Sequence, residues 1–277
     1  MPDFPSLTFL PVDCLLIHER HDDQRTQPLI QRIRTSGVFR NPPIVAPLGD
    51  GSERYMVLDG ANRVTALRQM GYPHALVQVV QPDSPGLTLH TWNHVVWEMN
   101  AARFIRGLRA LPGSRMLLID DPDAHPHLEG DCGLAVVESP RGRKYAVCAR
   151  AVDLETHVRL LNDLVDSYKD RARFDRTSLR DAGHLSEIYP SFCGLVIFPS
   201  FHIQDLLRLA GQAYLLPAGV TRFLISPRAL HVNYPLHELA DDKSVQAKNQ
   251  ALDEWIKERL AHKGVRYYAE ATYLFDE

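Results

Sequence analysis

The chain has 277 residues, of which 45% are hydrophobic and 23% are charged, and its formal net charge is -3. This balance is typical of a globular protein with one large core or two smaller cores. It gives no general positive field for nucleic acid, and no apolar run approaches the roughly 20 residues of a membrane span.

Two features of the chain bear on where the protein works. Residues 1–11 lack a basic segment followed by an apolar stretch, so we expect no signal peptide. The four cysteines are scattered and form no C-x-x-C, which predicts reduced thiols in a cytoplasm. Cys132 and Cys148 have the spacing to meet across a hairpin, but buried small side chains are the favoured interpretation.

Residues 1–85 predict strand, helix, strand, strand, helix and strand in that order. An apolar strand at residues 15–17 ends in His18-Glu19-Arg20. Thr26 is a plausible N-cap for a helix that Gly37 closes. Short apolar strands follow at residues 44–46, 55–58 and 76–80.

Residues 55–70 carry the motif that organises the chain. A strand leads into Asp59-Gly60-Ala61-Asn62-Arg63, and apolar residues then follow at helical spacing. A glycine turn at a helix start leaves backbone N–H groups unpaired, and with the helix dipole they suit a phosphate. The alternative for so short a motif is an ordinary helix cap with a solvated arginine.

This stretch resembles the signature D/N-G-x-H/R-R-x-x-A-L of the ParB/sulfiredoxin-like fold. Asn62 stands where histidine is commoner, and five other positions match it: Asp59, Gly60, Arg63, Ala66 and Leu67. The resemblance implies an α+β fold, with a ParB/sulfiredoxin-like nucleotide-binding domain over residues 1–100. A mixed α/β C-terminal domain, residues 101–277, would complete the substrate pocket.

Two branches of this superfamily do not fit. The turn has Ala61 and no cysteine, so sulfiredoxin chemistry is not expected. The G-E-R-R-like box and helix-turn-helix domain of the chromosome-partitioning branch are also missing. A ParB-like, nucleotide-responsive transcriptional regulator that binds DNA with little turnover stays open, although the acidic balance argues against strong DNA affinity.

His18-Glu19 forms a second candidate site. A carboxylate at a strand end suits a general base, although the residues alone favour a solvated Glu19 paired with Arg20 or Arg25. With x-P-P-I-V at residues 41–45 and the glycine turn, the pattern H-E-x-x-x-x-x-R resembles the free serine kinases of this superfamily. These enzymes phosphorylate L-serine with ATP or ADP and yield O-phospho-L-serine. The resemblance implies that Glu19 is catalytic, that His18 lies at the substrate, and that residues 59–63 hold nucleotide phosphates.

Two further segments gain a role from the resemblance. Residues 87–99 form a polar and aromatic patch, in which His90 and His94 would suit a metal on a helix, but no third ligand is in view. The kinases have a similar T-W segment beside the amino acid, which implies roles for Trp92 and His94. They also carry A-G-I/V-T-R, which implies that Thr221 and Arg222 hold the serine carboxylate or phosphate, where the residues alone favour an ordinary loop.

Later segments complete the predicted fold. Strands are expected at residues 115–120, 132–137, 144–150, 193–198, 229–236 and 266–275, and helices at residues 154–169, 202–210 and 244–262. The basic run Arg171–Arg176 is either a nucleic-acid contact or, the favoured interpretation, a helix end.

The predicted protein is thus a cytoplasmic serine kinase that uses Mg²⁺ with ATP or ADP, has no metal site of its own and no membrane contact. The donor, the acceptor, the oligomeric state, and a pathway toward cysteine or a siderophore precursor stay open.

Overall fold

The computed structural model of the chain describes residues 4–20, 26–119, 133–149 and 153–268. Arg25, Cys132 and most of the strand predicted at residues 266–275 lie outside these ranges. Within them, no helix combines the length and the apolar character needed to cross a membrane.

A five-stranded mixed sheet, the first sheet, is built from the first 79 residues. Its strands are β1 (Ser6–Pro11), β2 (Leu15–Ile17), β4 (Ile44–Pro47), β5 (Tyr55–Asp59) and β6 (His74–Val79), and β3 (Val38–Phe39) lies outside it. The strand order is β1-β6-β4-β5-β2, with β2 parallel to β5 at one edge. The helices α1 (Thr26–Ser36) and α2 (Ala61–Gln69) bury apolar side chains such as Ile30 and Leu67 against this sheet.

A six-stranded antiparallel sheet, the second sheet, follows. Its strands are β8 (Asn93–Trp97), β9 (Ser114–Ile119), β10 (Ala135–Glu138), β11 (Lys144–Ala149), β12 (Arg173–Thr177) and β13 (Gly194–Ile197), in the order β12-β8-β13-β10-β11-β9. Four helices accompany it: α3 (Ala101–Arg109), α4 (Leu154–Lys169), α5 (Leu185–Ile188) and α6 (Ile203–Gly211). α4 carries apolar residues at helical spacing, so one of its faces joins the core around Phe104 and Tyr168.

The rest of the chain links the two sheets. β14 (Thr221–Ile225) pairs with β7 (Leu87–Thr91) in an antiparallel ribbon, and β15 (Tyr234–Pro235) pairs with β3. After α7 (Leu236–Ala240), helix α8 (Val245–Ala261) returns to the first sheet, where Leu252 and Trp255 pack into the core around Phe9. The C-terminal segments therefore complete the core of the first sheet.

The α+β fold is confirmed, and the predicted order of elements over residues 1–85 holds except that two strands, β1 and β2, precede α1 and the short β3 follows it. Three local points differ from the sequence analysis. Residues 87–99, for which no helix or strand was predicted, form strands β7 and β8, so His90 and His94 do not share a helix face. The basic run at residues 171–176 enters strand β12, and the strand predicted at residues 229–236 is reduced to Tyr234–Pro235.

The cysteine prediction is also corrected in part. Cys14 and Cys193 are free, whereas Cys148 is disulfide-bonded. The domain boundary near residue 100 stays a prediction. β8, which precedes that boundary in the chain, shares its sheet with β12 and β13.

Candidate active site

The two sequence motifs meet at one edge of the first sheet. β2 and β5 run parallel, with Leu15 opposite Tyr55 and Ile17 opposite Val57. Parallel neighbours end at the same edge, so β2 delivers His18-Glu19 beside the turn that follows β5 at Asp59-Gly60. The predicted base and the predicted phosphate turn are thus neighbours, although about 40 residues separate them in the chain.

The Glu19 carboxylate is held by Gly219, in the loop that precedes β14, and by Thr221, the first residue of β14. Its Oε2 accepts from the Gly219 backbone N–H at 2.6 Å, and its Oε1 accepts from the Thr221 N–H at 2.6 Å and the Thr221 hydroxyl at 2.5 Å. Gly219 has a φ of +74°, which a glycine adopts without strain. The side chain is only 17% exposed, so Glu19 is a fixed carboxylate and not a solvated partner of Arg20.

His18 completes a short hydrogen-bonded chain. Its Nδ1–H donates to the Val57 carbonyl at 2.8 Å, which makes Nε2 the acceptor of the neutral ring. Nε2 lies 2.8 Å from the Thr221 hydroxyl. Burial lowers the pKa of His18, against the opposing effect of Glu19, so the ring is neutral at pH 7. Thr221 therefore has one proton and two acceptors, His18 and Glu19.

The Gly60 turn has the form expected for a phosphate site. Gly60 is the N-cap of α2 with a φ of +96° and offers no side-chain cap. Among the described residues, no hydrogen bond uses the backbone N–H groups of Ala61 and Asn62, whereas those of Arg63 and Val64 bond to the Gly60 carbonyl. Two donors at the positive end of the helix dipole are thus available to an anion.

Arg63 does not project freely from this turn. Its guanidinium donates to Asp59 Oδ2 at 2.8 Å and to the Asn41 carbonyl at 2.6 Å. Burial lowers the pKa of Arg63, although Asp59 opposes that effect. Arg228, which follows β14, also contacts Asp59 Oδ2, so one carboxylate lies between two guanidinium groups and the group carries a net positive charge. No local sequence signal marks Arg228, because only the fold brings it to Asp59.

The Trp92 and Arg222 side chains meet each other and not Glu19. Thr221 lies opposite Thr91 in the ribbon, and Arg222 lies opposite His90. Successive side chains of a strand point to opposite faces, so Arg222 points away from the face on which Thr221 contacts His18. The Arg222 guanidinium stacks over the Trp92 ring at 4.2 Å.

His94 belongs to the core of the second sheet. It is fully buried, its Nδ1 lies 2.8 Å from the Tyr168 hydroxyl, and its ring stacks on Phe174 at 4.4 Å. Burial lowers the pKa of His94 to about 3, and the nearby charge of Arg176 acts in the same direction. This position favours a structural role, and contact with substrate stays a prediction. No group of three or more potential metal ligands occurs among the described residues.

Several known proteins are similar to this chain in sequence. No family profile matches the chain. The chain is 26% identical to the ATP-dependent L-serine kinase SbnI of Staphylococcus aureus over 98% of this chain and 97% of that protein. It is 34% identical over 83 residues to an ATP-dependent L-serine kinase of Staphylothermus marinus, which covers 30% of this chain and 32% of that protein. An ADP-dependent L-serine kinase SerK of Thermococcus kodakarensis is 23% identical over 47% of this chain and 52% of that protein.

Solved structures share the fold. C-terminally truncated SbnI from Staphylococcus aureus superposes with a TM-score of 0.72 at 24% identity, over 94% of this chain and 97% of that one. A free serine kinase in complex with AMP gives a TM-score of 0.67 at 16% identity, over 86% and 95% of the two chains. The sequence motifs indicated a resemblance to the free serine kinases, and these comparisons confirm it. The chain has the same fold as the solved kinase structures.

Proposed function

We propose that this chain is a free L-serine kinase, which transfers a phosphoryl group from ATP or ADP to the hydroxyl of L-serine and releases O-phospho-L-serine. The observation that carries the proposal is the fixed Glu19 carboxylate at the sheet edge that also presents the Gly60 turn. The match to the Staphylococcus aureus kinase along nearly the whole chain supports the same reaction.

The donor phosphates would bind at the start of α2. The N–H groups of Ala61 and Asn62 donate to them, and Arg63 and Arg228 supply positive charge. Most of the catalytic effect then comes from positioning and from charge stabilisation, because phosphoryl transfer needs little covalent help from the protein.

Mg²⁺ is expected to arrive with the nucleotide. Kinases hold this ion with one or two carboxylates plus substrate phosphates, so a dedicated protein cluster is not required. Both arginines use Asp59 Oδ2, and among the described residues no hydrogen bond uses Oδ1. Asp59 therefore fits as the carboxylate that holds the ion, and the ion would neutralise charge on the phosphates.

Glu19 would accept the proton of the serine hydroxyl. Oε1 is occupied by the Thr221 N–H and hydroxyl, whereas Oε2 accepts only from the Gly219 N–H among the described groups and so keeps a lone pair for the substrate proton. His18, which burial keeps neutral, lies on the other side of the Thr221 hydroxyl and helps to position it.

ATP is the donor to test first, since the relative that matches nearly the whole chain is ATP-dependent, while a shorter match is ADP-dependent. A reaction that consumes either nucleotide belongs in the cytoplasm. The pathway that uses the product is open between cysteine synthesis and a siderophore precursor.

The purified protein is incubated with Mg²⁺, L-serine and ATP or ADP, and O-phosphoserine is measured by mass spectrometry. We expect product with at least one donor. Glu19→Gln should lower kcat on the order of 100- to 10000-fold, as the loss of a positioned base does.

Glu254→Gln is the matched control, because Glu254 is an exposed carboxylate on α8, and it should leave the rate unchanged. Full activity of Glu19→Gln would show that Glu19 is not the base. Nucleotide binding without product from any donor would overturn the kinase assignment and favour a nucleotide-responsive regulator.

A further inference from the structure

The arginine that the sequence assigned to the substrate anion points away from the catalytic carboxylate. Arg222 lies on the ribbon face opposite Thr221 and stacks on Trp92. A kinase of a free amino acid must also recognise the substrate carboxylate, and a guanidinium suits this planar, bidentate group. Another guanidinium near Glu19 would suit this role.

Arg176, on β12, approaches the same loop from the second sheet. Its guanidinium packs against Gly219, so closely that a Cβ atom at residue 219 would overlap it. Gly219 is also the residue whose N–H binds Glu19 Oε2. One glycine thus contacts the catalytic carboxylate through its backbone and Arg176 through its open face.

Among the described residues, no ion pair includes the Arg176 side chain, and the residue is exposed. Arg176 lies opposite His94 in the pairing of β12 with β8, so the two side chains share a face of the sheet. The effect of Arg176 on the pKa of His94 agrees with this closeness. A free cation beside Gly219 is a candidate to bind an anion.

The position of Arg176 also separates the donor phosphates from the acceptor carboxylate. β2 is the edge strand next to β5, and on the side away from β5 Glu19 forms a backbone bridge with Leu216, which lies in the loop that leads to Gly219. The Gly60 turn therefore lies on one side of Glu19, and Gly219 with Arg176 lies on the other. Donor phosphates at Gly60 leave the Arg176 side to the acceptor.

We propose that Arg176 binds the carboxylate of the amino-acid acceptor and so helps to select serine over amino alcohols. This inference rests on the proposed kinase function. It places the serine carboxylate at Arg176, its hydroxyl at Glu19 and the donor at the Gly60 turn.

The test compares Arg176→Met with wild type on L-serine and on ethanolamine, which has the hydroxyl and the amine but no carboxylate. Removing a charge-assisted contact should lower kcat/KM for serine about 10- to 100-fold, mainly through KM. The rate with ethanolamine and the KM for nucleotide should not change. Arg176→Lys should restore part of the serine rate.

Arg173→Met is the matched control, since Arg173 lies on the same strand, pairs with Glu98 and stacks on Trp97. It should behave as wild type. An equal loss on both substrates would show that Arg176 only supports the loop, and a rise in the nucleotide KM alone would place Arg176 at the phosphates. Either result overturns the inference while the kinase function stands, whereas the kinase function fails only if wild type makes no product.

Discussion

Asp59 shows how the fold adds to a motif. In the structure it pairs with Arg63, four residues later in the same motif, and Arg228 contacts the same oxygen. Arg63 is only 19% exposed and is also tied to the Asn41 carbonyl, whereas Arg228 is 37% exposed. Arg228 is therefore the more accessible of the two charges and the better placed to meet an arriving phosphate.

From this arrangement we expect Arg228→Met to raise the KM for the nucleotide donor about 10- to 100-fold, the effect of one lost charge-assisted hydrogen bond. The KM for serine should stay within about twofold of wild type. Steady-state rates at varied nucleotide and at varied serine separate the two effects. Arg32→Met, at an exposed arginine of α1, serves as the control. An unchanged nucleotide KM in Arg228→Met would remove Arg228 from the site.

At the residue scale, the sequence predicted the parts of the site that a short stretch defines. The Gly60 turn and the strand end at Glu19 are local features, and both are found where predicted. The direction of Arg222 and the approach of Arg176 depend on strand pairing between distant segments. Because the sequence alone does not show which strands pair, the positions of these side chains could not be predicted from it.

The same limit applies to elements. Helices α2 and α4 were predicted well, because their apolar spacing and their caps are local. β7 and β8 were not predicted, because residues 87–99 mix polar and aromatic side chains without a clear alternation along the chain. Their strand form is decided by the partners β14, β12 and β13. Tertiary pairing overrode the weak local pattern.

Helix α8 closes the free edge of the first sheet through one side chain. Asn249 accepts from the Phe9 N–H at 2.6 Å and from the Thr8 hydroxyl at 3.0 Å, and it donates to the Phe9 carbonyl at 3.1 Å. Its amide thus takes the place of a neighbouring strand at β1. An exposed edge invites pairing with another chain, so this contact protects the edge as well as anchoring the helix.

We expect Asn249→Ala to lower the free energy of unfolding by about 2–4 kcal/mol, because it leaves the backbone groups of the buried Phe9 without partners. Urea unfolding followed by circular dichroism measures the change. Gln250→Ala, at the exposed next position of α8, should cost less than about 0.5 kcal/mol. Equal stability of the two variants would show that α8 is held by its apolar face alone.

At the scale of the whole molecule, the proposed site draws on both sheets. The first sheet supplies Glu19 and the Gly60 turn, Gly219 and the first residue of β14 supply the donors to Glu19, and in our proposal β12 of the second sheet supplies Arg176. Buried histidines lie in both parts: His18 beside the site and His94 in the second core. Burial lowers the pKa of each, so the folded protein keeps both rings neutral below the pH at which an unfolded chain protonates them.

This difference sets the response of stability to pH. The pKa of a histidine in the unfolded chain is about 6.5, while the pKa of His94 in the folded protein is about 3. Below pH 6.5 the unfolded state binds a proton that the folded state does not, so stability falls as pH falls. Each such histidine contributes a slope of about 1.4 kcal/mol per pH unit between its two pKa values.

We therefore expect the free energy of unfolding to decrease steadily between pH 6.5 and pH 5. In His94→Gln, which has no titrating ring, the slope over this range should be smaller by up to about 1.4 kcal/mol per pH unit, whatever the absolute stability. Urea unfolding at several pH values gives both slopes. His184→Gln, which removes an exposed histidine, is the control variant. A wild-type slope in His94→Gln would mean that His94 is protonated in the folded core at these pH values.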